Sequence, residues 1–196
     1  MSKIGVLALQ GAYEEHIKAL RELGVAASTI RLPAELEGLD GLIIPGGEST
    51  TVLHLLAHFS LLEPLRAKIR HGLPVFGTCA GMICLAKEVS NSHRLGADLI
   101  GMMDIKVERN AFGRQVDSFE EDITVDVLGD EPFHAIFIRA PRITEVKPPA
   151  TVLAVSSAGD IVAVRQGNLL TTAFHPELTP DLRLHRYFLC IVKGNS

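Results

Sequence analysis

Cys79 lies in the segment Gly77-Thr78-Cys79-Ala80-Gly81, which has the form G-x-C-x-G between a predicted strand and a predicted helix. This pattern is the cysteine version of a nucleophile elbow, a sharp strand-to-helix turn that needs small flanking residues. The thiol would lie beside the N-terminus of the helix, where the partial positive charge favours a thiolate. The segment predicts a nucleophilic cysteine, and a buried structural cysteine is the alternative when it is considered alone.

A candidate base for this cysteine occurs in His175-Pro176-Glu177, which follows an apolar strand-like segment. A cysteine nucleophile needs a base that takes the thiol proton and returns it to the leaving group, and histidine suits this role near neutral pH. A third group must orient the base, and Glu177 has suitable spacing if the segment is extended, because alternate side chains then share a face. The sequence predicts a Cys79, His175, Glu177 triad; a surface turn is the alternative for the tripeptide alone.

Backbone donors for a negatively charged intermediate are expected in two turns. The sequence PGGE at positions 45–48 ends a predicted strand, so the amide of Gly47 could act together with the amide of Ala80. Removing one such donor typically costs about 2.7–4 kcal/mol in the activation barrier. An ordinary strand-to-helix turn is the alternative. Ser49 or Thr50 is expected to cap the helix that follows.

Two arginines at predicted strand ends could bind a carboxylate. Arg109 lies in the polar segment Glu108–Arg114, and Arg139 lies in Ile138-Arg139-Ala140-Pro141. A guanidinium can hold a carboxylate with two hydrogen bonds, as an amino-acid substrate would require, although either arginine could equally form a surface ion pair. No direct chemical role is predicted for the remaining histidines, and two further cysteines are interpreted as small core residues: His16, His54, His58, His71, His93, His134 and His185, with Cys84 and Cys190.

Composition excludes several classes of function. The chain has 19 basic and 23 acidic residues without a basic block, so nucleic acid is not expected as a partner. No apolar run approaches the roughly 20 residues of a membrane helix. The N-terminal segment lacks the pattern of a signal peptide, which predicts a cytoplasmic location. Three cysteines without zinc-ligand spacing argue against a disulfide framework and a metal site.

The first half of the chain alternates strand and helix signals, which predicts a parallel sheet covered by helices. Ligands bind at the carboxyl ends of the strands in such sheets, where both glycine-rich turns lie. The predicted strands are Lys3–Leu9, Val25–Arg31, Gly41–Ile44 and Leu73–Phe76, and the predicted helices are Ala12–Leu23, Thr51–His58, Leu62–His71 and Met82–Lys87.

The second half is richer in strands, with a hairpin turn expected at Ser157–Asp160 and a closing helix at Pro180–Val192. The sequence therefore predicts a single α/β domain over residues 1–196, with a mainly parallel central sheet and additional antiparallel strands in the second half. The predicted strands here are Met103–Glu108, Ile123–Val127, Ala135–Arg139, Val152–Ser156, Ile161–Arg165 and Leu169–Phe174.

Six segments together resemble the class I, triad-type glutamine amidotransferases, and within them the glutaminase subunits of pyridoxal 5'-phosphate synthases. GTCAG and HPE mark the broad superfamily, whereas GGESTT, ERNAFGRQ and FIRAP are more specific. The segments cover almost the whole chain in the family's order: LALQGAYEEH, PGGESTT, GTCAGMI, ERNAFGRQ, FIRAP and AFHPELT.

This resemblance implies hydrolysis of L-glutamine to glutamate and ammonia by Cys79, His175 and Glu177, with Gly47 and Ala80 as the oxyanion hole and without a cofactor or metal. It implies that the backbone of Ile138 takes part in substrate binding. The glutamine-binding residues implied by the resemblance are Gly47, Glu48, Ser49, Arg109, Ile138 and Arg139.

The resemblance also implies a partner, a barrel-fold synthase subunit that receives the ammonia within a large hetero-oligomer and makes pyridoxal 5'-phosphate. Low activity is expected until that partner docks. Two alternatives stay open: another cysteine hydrolase, such as a γ-glutamyl peptidase or an amidotransferase serving a different synthase, and a catalytically silent binding subunit.

Overall fold

The computed structural model describes residues 2–90, 99–109 and 118–195, in which strands and helices alternate through the first half. The strands are β1 Lys3–Leu7, β2 Ala26–Ile30, β3 Gly41–Ile44, β4 Val75–Thr78, β5 Ala86–Ser90, β6 Met103–Glu108, β7 Ser118–Ile123, β8 Phe133–Ile138, β9 Arg142–Val146, β10 Thr151–Val155, β11 Ile161–Gln166 and β12 Leu169–Thr172. The helices are α1 Tyr13–Glu22, α2 Ser49–His58, α3 Leu62–Arg70, α4 Ala80–Leu85 and α5 Arg183–Val192.

A ten-stranded sheet runs through the part of the chain that the structure describes. Its main order is β2-β1-β3-β4-β12-β11-β9-β6-β5, and β10 pairs with β11. Neighbours from β2 to β12 are parallel, and β3, β4 and β12 are buried along their whole length. Strands buried on both faces need apolar side chains throughout, which explains the short apolar runs in the sequence.

Helices cover both faces of the parallel strands, and β4 shows how its residues divide between them. The ring of Phe76 lies 5.7 Å from Phe188 of α5 and 6.3 Å from His16 of α1, measured between ring centroids. The neighbouring Gly77 faces Gly81 and Leu85 of α4 on the other side of the sheet. The alternation along one strand therefore places α1 and α5 on one face and α4 on the other.

The strands of the second half are mostly antiparallel. β11 pairs antiparallel with β9, β10 and β12, while β7 and β8 form a separate two-stranded sheet. The predicted turn at Ser157–Asp160 joins β10 to β11, where the amide of Gly159 donates to the carbonyl of Ser156 at 2.9 Å. The predicted α/β fold, with a mainly parallel sheet and additional antiparallel strands, is confirmed. The single-domain organisation stays a prediction.

One predicted strand of the second half is wrong, and two observed strands, β7 and β9, were missed. The segment Ile123–Val127 was expected to be a strand, but β7 ends at Ile123 and a 3₁₀ turn covers Asp126–Leu128. β7 has the sequence SFEEDI and is half exposed, so its polar residues hide the strand pattern. β9 was missed because only one of its five residues, Ile143, is buried.

The segment after the elbow also differs from the prediction. The helix was expected at Met82–Lys87, but α4 begins at Ala80 and ends at Leu85. The chain then forms β5, which pairs parallel with β6. An apolar segment as short as this does not distinguish a helix from a strand by its periodicity.

No helix in the described ranges is long and apolar enough to cross a membrane.

Candidate active site

Three neighbouring parallel strands end at one edge of the sheet, and each leads into a predicted motif. β3 is followed by residues 45–48, β4 by Cys79, and β12 by a short segment that reaches His175. Pairing of Thr172 with Thr78 aligns the ends of β12 and β4. Motifs separated by about a hundred positions therefore meet at the carboxyl edge, where sheets of this type bind ligands.

The turn at Cys79 has the strained backbone expected of a nucleophile elbow. Cys79 has φ +48° and ψ −102°, a conformation that a residue with a side chain rarely adopts. Its amide donates to the carbonyl of Thr172 at 2.8 Å, and its carbonyl accepts from Met82 at 3.1 Å, at the start of α4. These hydrogen bonds hold the turn between β12 and the helix.

The glycines on each side of the elbow allow close packing. A Cβ atom on Gly77 would lie 2.7 Å from the carbonyl carbon of Gly81, and one on Gly81 would lie 2.1 Å from the carbonyl oxygen of Ile44. Neither distance is possible for a real side chain, so α4 could not pack this closely on β3 and β4 if either glycine were replaced.

His175 and Glu177 form a direct pair. His175 Nδ1 lies 2.7 Å from Glu177 Oε1, and both residues are buried. The sequence analysis expected an extended segment here, and that expectation is wrong. Residues Pro176–Leu178 form a 3₁₀ turn, which brings the two side chains together. The amide of His175 donates to the carbonyl of Ile136 at 2.8 Å, which ties this turn to β8.

The charges around His175 favour its protonated form. Burial alone lowers the pKa of His175, but hydrogen bonding and charge interactions with Cys79 and Glu177 outweigh burial and raise the pKa to about 10. Burial raises the pKa of Glu177, whereas His16 and His175 lower it, with a net decrease. Protonated His175 therefore lies beside Cys79 and is paired with the carboxylate of Glu177.

Gly46 leaves room for the His175 ring. A Cβ atom on Gly46 would lie 2.2 Å from His175 Cε1. The amide of Gly46 donates to Thr78 Oγ1 at 3.0 Å, and its carbonyl accepts from the amide of Ala12 at 3.1 Å. The first glycine of the pair therefore packs directly against the imidazole, and its peptide groups are held by β4 and by the segment before α1.

The oxyanion hole expected at the amides of Gly47 and Ala80 stays a prediction. Within the described residues, neither the amide of Gly47 nor that of Ala80 has a hydrogen-bond partner. The next amide, that of Glu48, donates to Gln10 Oε1 at 2.7 Å. Gln10 was not predicted as a site residue, although it belongs to the segment LALQGAYEEH. Its contact with the loop is a long-range one that spacing along the chain does not reveal.

A cavity of about 510 Å³ lies at this edge of the sheet and brings most of the predicted residues together. Gln10 and Ile83 line it in addition to those predicted. Ala80 and Glu177 do not line it. Ala80 follows Cys79 in the chain, and Glu177 pairs with His175. The predicted residues in its lining are Gly47, Glu48, Ser49, Cys79, Arg109, Ile138, Arg139 and His175.

Glu48 connects two parts of the cavity wall. Its carboxylate accepts hydrogen bonds from the amides of Thr50 and Thr51 at 3.0 and 2.7 Å and pairs with Arg109 Nη2 at 2.9 Å. Glu48 is therefore the cap of α2, and the prediction of Ser49 or Thr50 as the cap is wrong. A glutamate before the helix reaches both amides because its side chain is long enough to fold back.

The end of β8 forms another part of the cavity wall. The carbonyl oxygen of Ile138 lies 3.9 Å from Cys79 Sγ, and Arg139 has φ +44°. Arg109 lies at the start of the predicted segment Glu108–Arg114, of which positions 110–114 lie outside the described residues. Positions 91–98, which include His93, also lie outside them.

Two histidines and two cysteines for which the sequence predicted no chemical role also have defined positions in the fold. His16 and His185 are fully buried behind the cavity, and His16 Nε2 lies 3.4 Å from Glu177 Oε2. Cys84 is buried as predicted, whereas Cys190 is exposed, so its assignment to the core is wrong. In the described ranges no group of three or more histidine, cysteine or acidic residues could hold a metal ion.

Comparison with known proteins places the chain in a family of glutamine amidotransferases. The sequence profile of the SNO glutamine amidotransferase family matches residues 6–193. The chain therefore belongs to this family, and the class of enzyme inferred from its motifs is confirmed.

Two individual relatives carry the name of one particular subunit. The chain is 59% identical over 190 residues to the pyridoxal 5'-phosphate synthase subunit PdxT of Moorella thermoacetica, covering 97% of this chain and 99% of that protein. It is 60% identical over 187 residues to the subunit of the same name from Carboxydothermus hydrogenoformans, covering 95% of this chain and 96% of that protein. The resemblance to this subunit family is thus also confirmed.

Solved structures agree on the fold. A crystal structure of a glutamine amidotransferase matches with a TM-score of 0.90 at 47% identity, covering 97% of this chain and 98% of that one. The structure of PurLQS from Thermotoga maritima contains a chain that matches with a TM-score of 0.72 at 15% identity, covering 96% of this chain and 97% of that one. At such low identity the second likeness is one of fold alone.

Proposed function

We propose that this glutamine amidotransferase hydrolyses L-glutamine with a Cys79, His175, Glu177 triad and passes the ammonia to a pyridoxal 5'-phosphate synthase subunit. The observation that carries the proposal is the buried His175–Glu177 pair, 2.7 Å apart, whose imidazole lines the same cavity as Cys79. Ligand pockets are typically about 300–1,000 Å³, so a cavity of about 510 Å³ suits a small amino acid.

The first half of the reaction is acyl transfer to the thiol. The Cys79 thiolate attacks the side-chain amide carbon of glutamine, and the carbonyl π electrons move onto oxygen. The amides of Gly47 and Ala80 stabilise that oxyanion. Collapse of the intermediate breaks the C–N bond, and the His175 imidazolium gives its proton to the leaving nitrogen. Ammonia departs, leaving a glutamyl thioester and a neutral imidazole.

The second half hydrolyses the thioester. Neutral His175 takes a proton from a water molecule as the water oxygen attacks the thioester carbon. The same two amides stabilise the second oxyanion, and collapse expels the Cys79 thiolate. Glutamate leaves, and the imidazolium–thiolate pair is restored. Glu177 orients the ring through Nδ1 and stabilises the imidazolium without taking its proton. These steps need no cofactor or metal.

Polar groups in the cavity lining suit the α-carboxylate and the α-amino group of an amino acid. Arg109 and Arg139 line the cavity and supply cations for the α-carboxylate. The carboxylate of Glu48 and the carbonyl of Ile138 are acceptors for the α-amino group. Gly47 and Ser49 complete the binding wall, in keeping with the residues that the family resemblance implies.

Delivery of ammonia is part of the proposal because free ammonia is protonated and lost in bulk water. Relatives that are more than half identical carry the name pyridoxal 5'-phosphate synthase subunit, which supports a synthase as the recipient. We propose a barrel-fold partner within a large hetero-oligomer and low activity until it docks. A cytoplasmic location stays a prediction.

The test is release of glutamate from glutamine by the wild type and by Cys79→Ala, with and without a pyridoxal 5'-phosphate synthase subunit. We expect turnover that rises with the synthase and disappears in Cys79→Ala, since no other group replaces the thiolate. Cys84→Ala is the matched control because Cys84 is buried in α4 and should not affect turnover.

Each outcome separates the candidates. Turnover by the wild type that ignores the synthase would favour a peptidase or an amidotransferase with another partner. Absence of turnover under all conditions would favour a silent binding subunit. Full activity in Cys79→Ala would exclude the thiol mechanism.

A further inference from the structure

A pair of buried histidines lies directly behind the carboxylate of the proposed triad. His16 on α1 and His185 on α5 are both 0% exposed, and His16 Nδ1 lies 3.0 Å from His185 Nε2. The other ring nitrogen of His16 lies 3.4 Å from Glu177 Oε2 and 3.3 Å from Thr78 Oγ1. None of these contacts takes part in the mechanism described above.

Glu177 needs a donor on this side. Its Oε1 atom pairs with His175, whereas Oε2 is buried and forms no hydrogen bond of ordinary geometry with any residue that the structure describes. A buried carboxylate oxygen without a donor is costly. A ring N–H at Nε2 of His16 lies near enough to supply one, 3.4 Å from Oε2, and Thr78 Oγ1 is a second neighbour of the same nitrogen.

The protonation states of the two histidines follow from their burial. Burial lowers the pKa of His16, although Glu177 acts in the opposite direction, and burial lowers the pKa of His185 to about 3. Both rings are therefore neutral at physiological pH, and each carries one ring proton. Because a single N–H links His16 Nδ1 to His185 Nε2, the proton can belong to either ring.

The two possible positions of the shared proton leave different buried ring atoms without a hydrogen-bond partner. If His16 donates through Nδ1, its bare Nε2 faces the carboxylate of Glu177 and can accept only from the nearby Thr78 hydroxyl, and the Nδ1–H of His185 is buried without an acceptor among the described residues. If His185 donates through Nε2, His16 keeps its proton at Nε2, between Glu177 Oε2 at 3.4 Å and Thr78 Oγ1 at 3.3 Å, and only a lone pair on His185 is unpaired. Buried N–H groups without acceptors are rare, so the second arrangement is favoured.

We propose that His16 is a positioning residue of the glutaminase site: His185 fixes its tautomer, and its Nε2–H group holds Glu177 Oε2 so that Oε1 orients His175. This inference rests on the proposed glutaminase function. It extends the proposed triad by two further side chains, in the order His185, His16, Glu177, His175, Cys79. Neither new histidine touches the substrate.

The expected effect is on the chemical step. Without the donor from His16, Glu177 can turn away, and His175 loses its fixed orientation towards Cys79. Loss of a partner that orients a metal-binding side chain typically costs about 10- to 100-fold in activity, and we expect a loss of that size for the partner that orients Glu177. Substrate binding should change little, because His16 does not line the cavity that holds Arg109 and Arg139.

The experiment measures kcat and KM for glutamine in the complex with a pyridoxal 5'-phosphate synthase subunit. His16→Phe keeps a ring but removes both nitrogens, and we expect kcat to fall about 10- to 100-fold with KM nearly unchanged. His16→Gln can place an amide N–H where Nε2 was, so it should recover most of the loss.

Two controls separate positioning from packing. Leu20→Ala removes a fully buried side chain from the same helix, so it should lower the melting temperature and leave kcat unchanged. In a Glu177→Ala background, His16→Phe should reduce the residual kcat little further, because the group it positions is already absent.

The outcomes are distinct. Wild-type kcat in His16→Phe, or equal losses in His16→Phe and His16→Gln that follow the fall in melting temperature, would overturn the positioning role alone. Full additivity with Glu177→Ala would also overturn it. A wild type that releases no glutamate in the complex would overturn the proposed function and, with it, this inference.

Discussion

The imidazole of His175 lies between a thiol and a carboxylate, and both partners favour its protonated form. Its pKa is raised from 6.5 to about 10, against the effect of burial, by Cys79 and Glu177. A general acid with this pKa stays protonated at neutral pH and can give its proton to the departing ammonia. At the scale of single residues, the catalytic proposal therefore depends on the charge of Glu177 as well as on its geometry.

A pH profile tests this dependence. In the wild type, kcat/KM should fall as pH rises through about 10, because His175 then loses the proton that the leaving group needs. In Glu177→Gln the carboxylate charge is absent, so the pKa of His175 drops and the alkaline limb should move to lower pH. Rates of glutamate release across this range give both profiles, and an alkaline limb that stays in place in Glu177→Gln would contradict the role of Glu177.

Glu48 acts at the scale of an element, since it caps α2 and links the helix to Arg109. Burial would raise the pKa of Glu48, but hydrogen bonds from Thr50 and Thr51 outweigh it, and the pKa is lowered from 4.5. A carboxyl group whose pKa is lowered by folding stabilises the fold above its unfolded pKa, and this contribution is lost as pH falls through the folded value. The carboxylate of Glu48 therefore stabilises both the start of α2 and, through Arg109, the wall of the cavity.

Glu48→Ala should lower the free energy of unfolding at neutral pH by about 1 kcal/mol, as loss of a helix cap does. The difference from wild type should shrink below pH 4.5, where the carboxylate is protonated in the unfolded chain and then in the folded one. Urea unfolding at both pH values measures it, with Glu48→Gln as the control that keeps an acceptor oxygen. An equal difference at both pH values would exclude the charged cap.

At the scale of the whole molecule, the fold gives three cysteines three environments. Cys79 is at the cavity with 6% of its surface exposed, Cys84 is fully buried in α4, and Cys190 is exposed on α5. Burial raises the pKa of Cys84 to about 12, so its thiolate is scarce at neutral pH. Reactivity therefore follows tertiary position rather than the local sequence.

Brief alkylation of the native protein with iodoacetamide should modify Cys190 and Cys79 and leave Cys84 unmodified, because the reagent needs an accessible thiolate. After unfolding in urea, all three cysteines should react. Peptide mass spectrometry gives the modified fraction at each position, and Cys190→Ser removes the exposed background. Native modification of Cys84 at the rate of Cys190 would show that α4 opens readily.

The sequence by itself determined the elbow, the glycine pair, the class of fold and the family, because each depends on local chemistry. Gly77 and Gly81 predict a turn that only small residues permit. The apolar runs of β3 and β4 predict a buried parallel sheet. The family motifs cover most of the chain, so the enzyme class followed from them. Half-exposed strands such as β7 and β9 were not predicted, because their alternation of buried and exposed residues is weak.

Only the tertiary structure decided which distant side chains meet. The parallel order β3-β4-β12 aligns three strand ends, so it brings Cys79 to His175, and packing of α1 and α5 on one face brings His16 and His185 behind Glu177. Spacing along the chain carries no information about contacts across a sheet or between helices. The burial that shifts the pKa of His16, His175 and His185 arises only once those elements have packed.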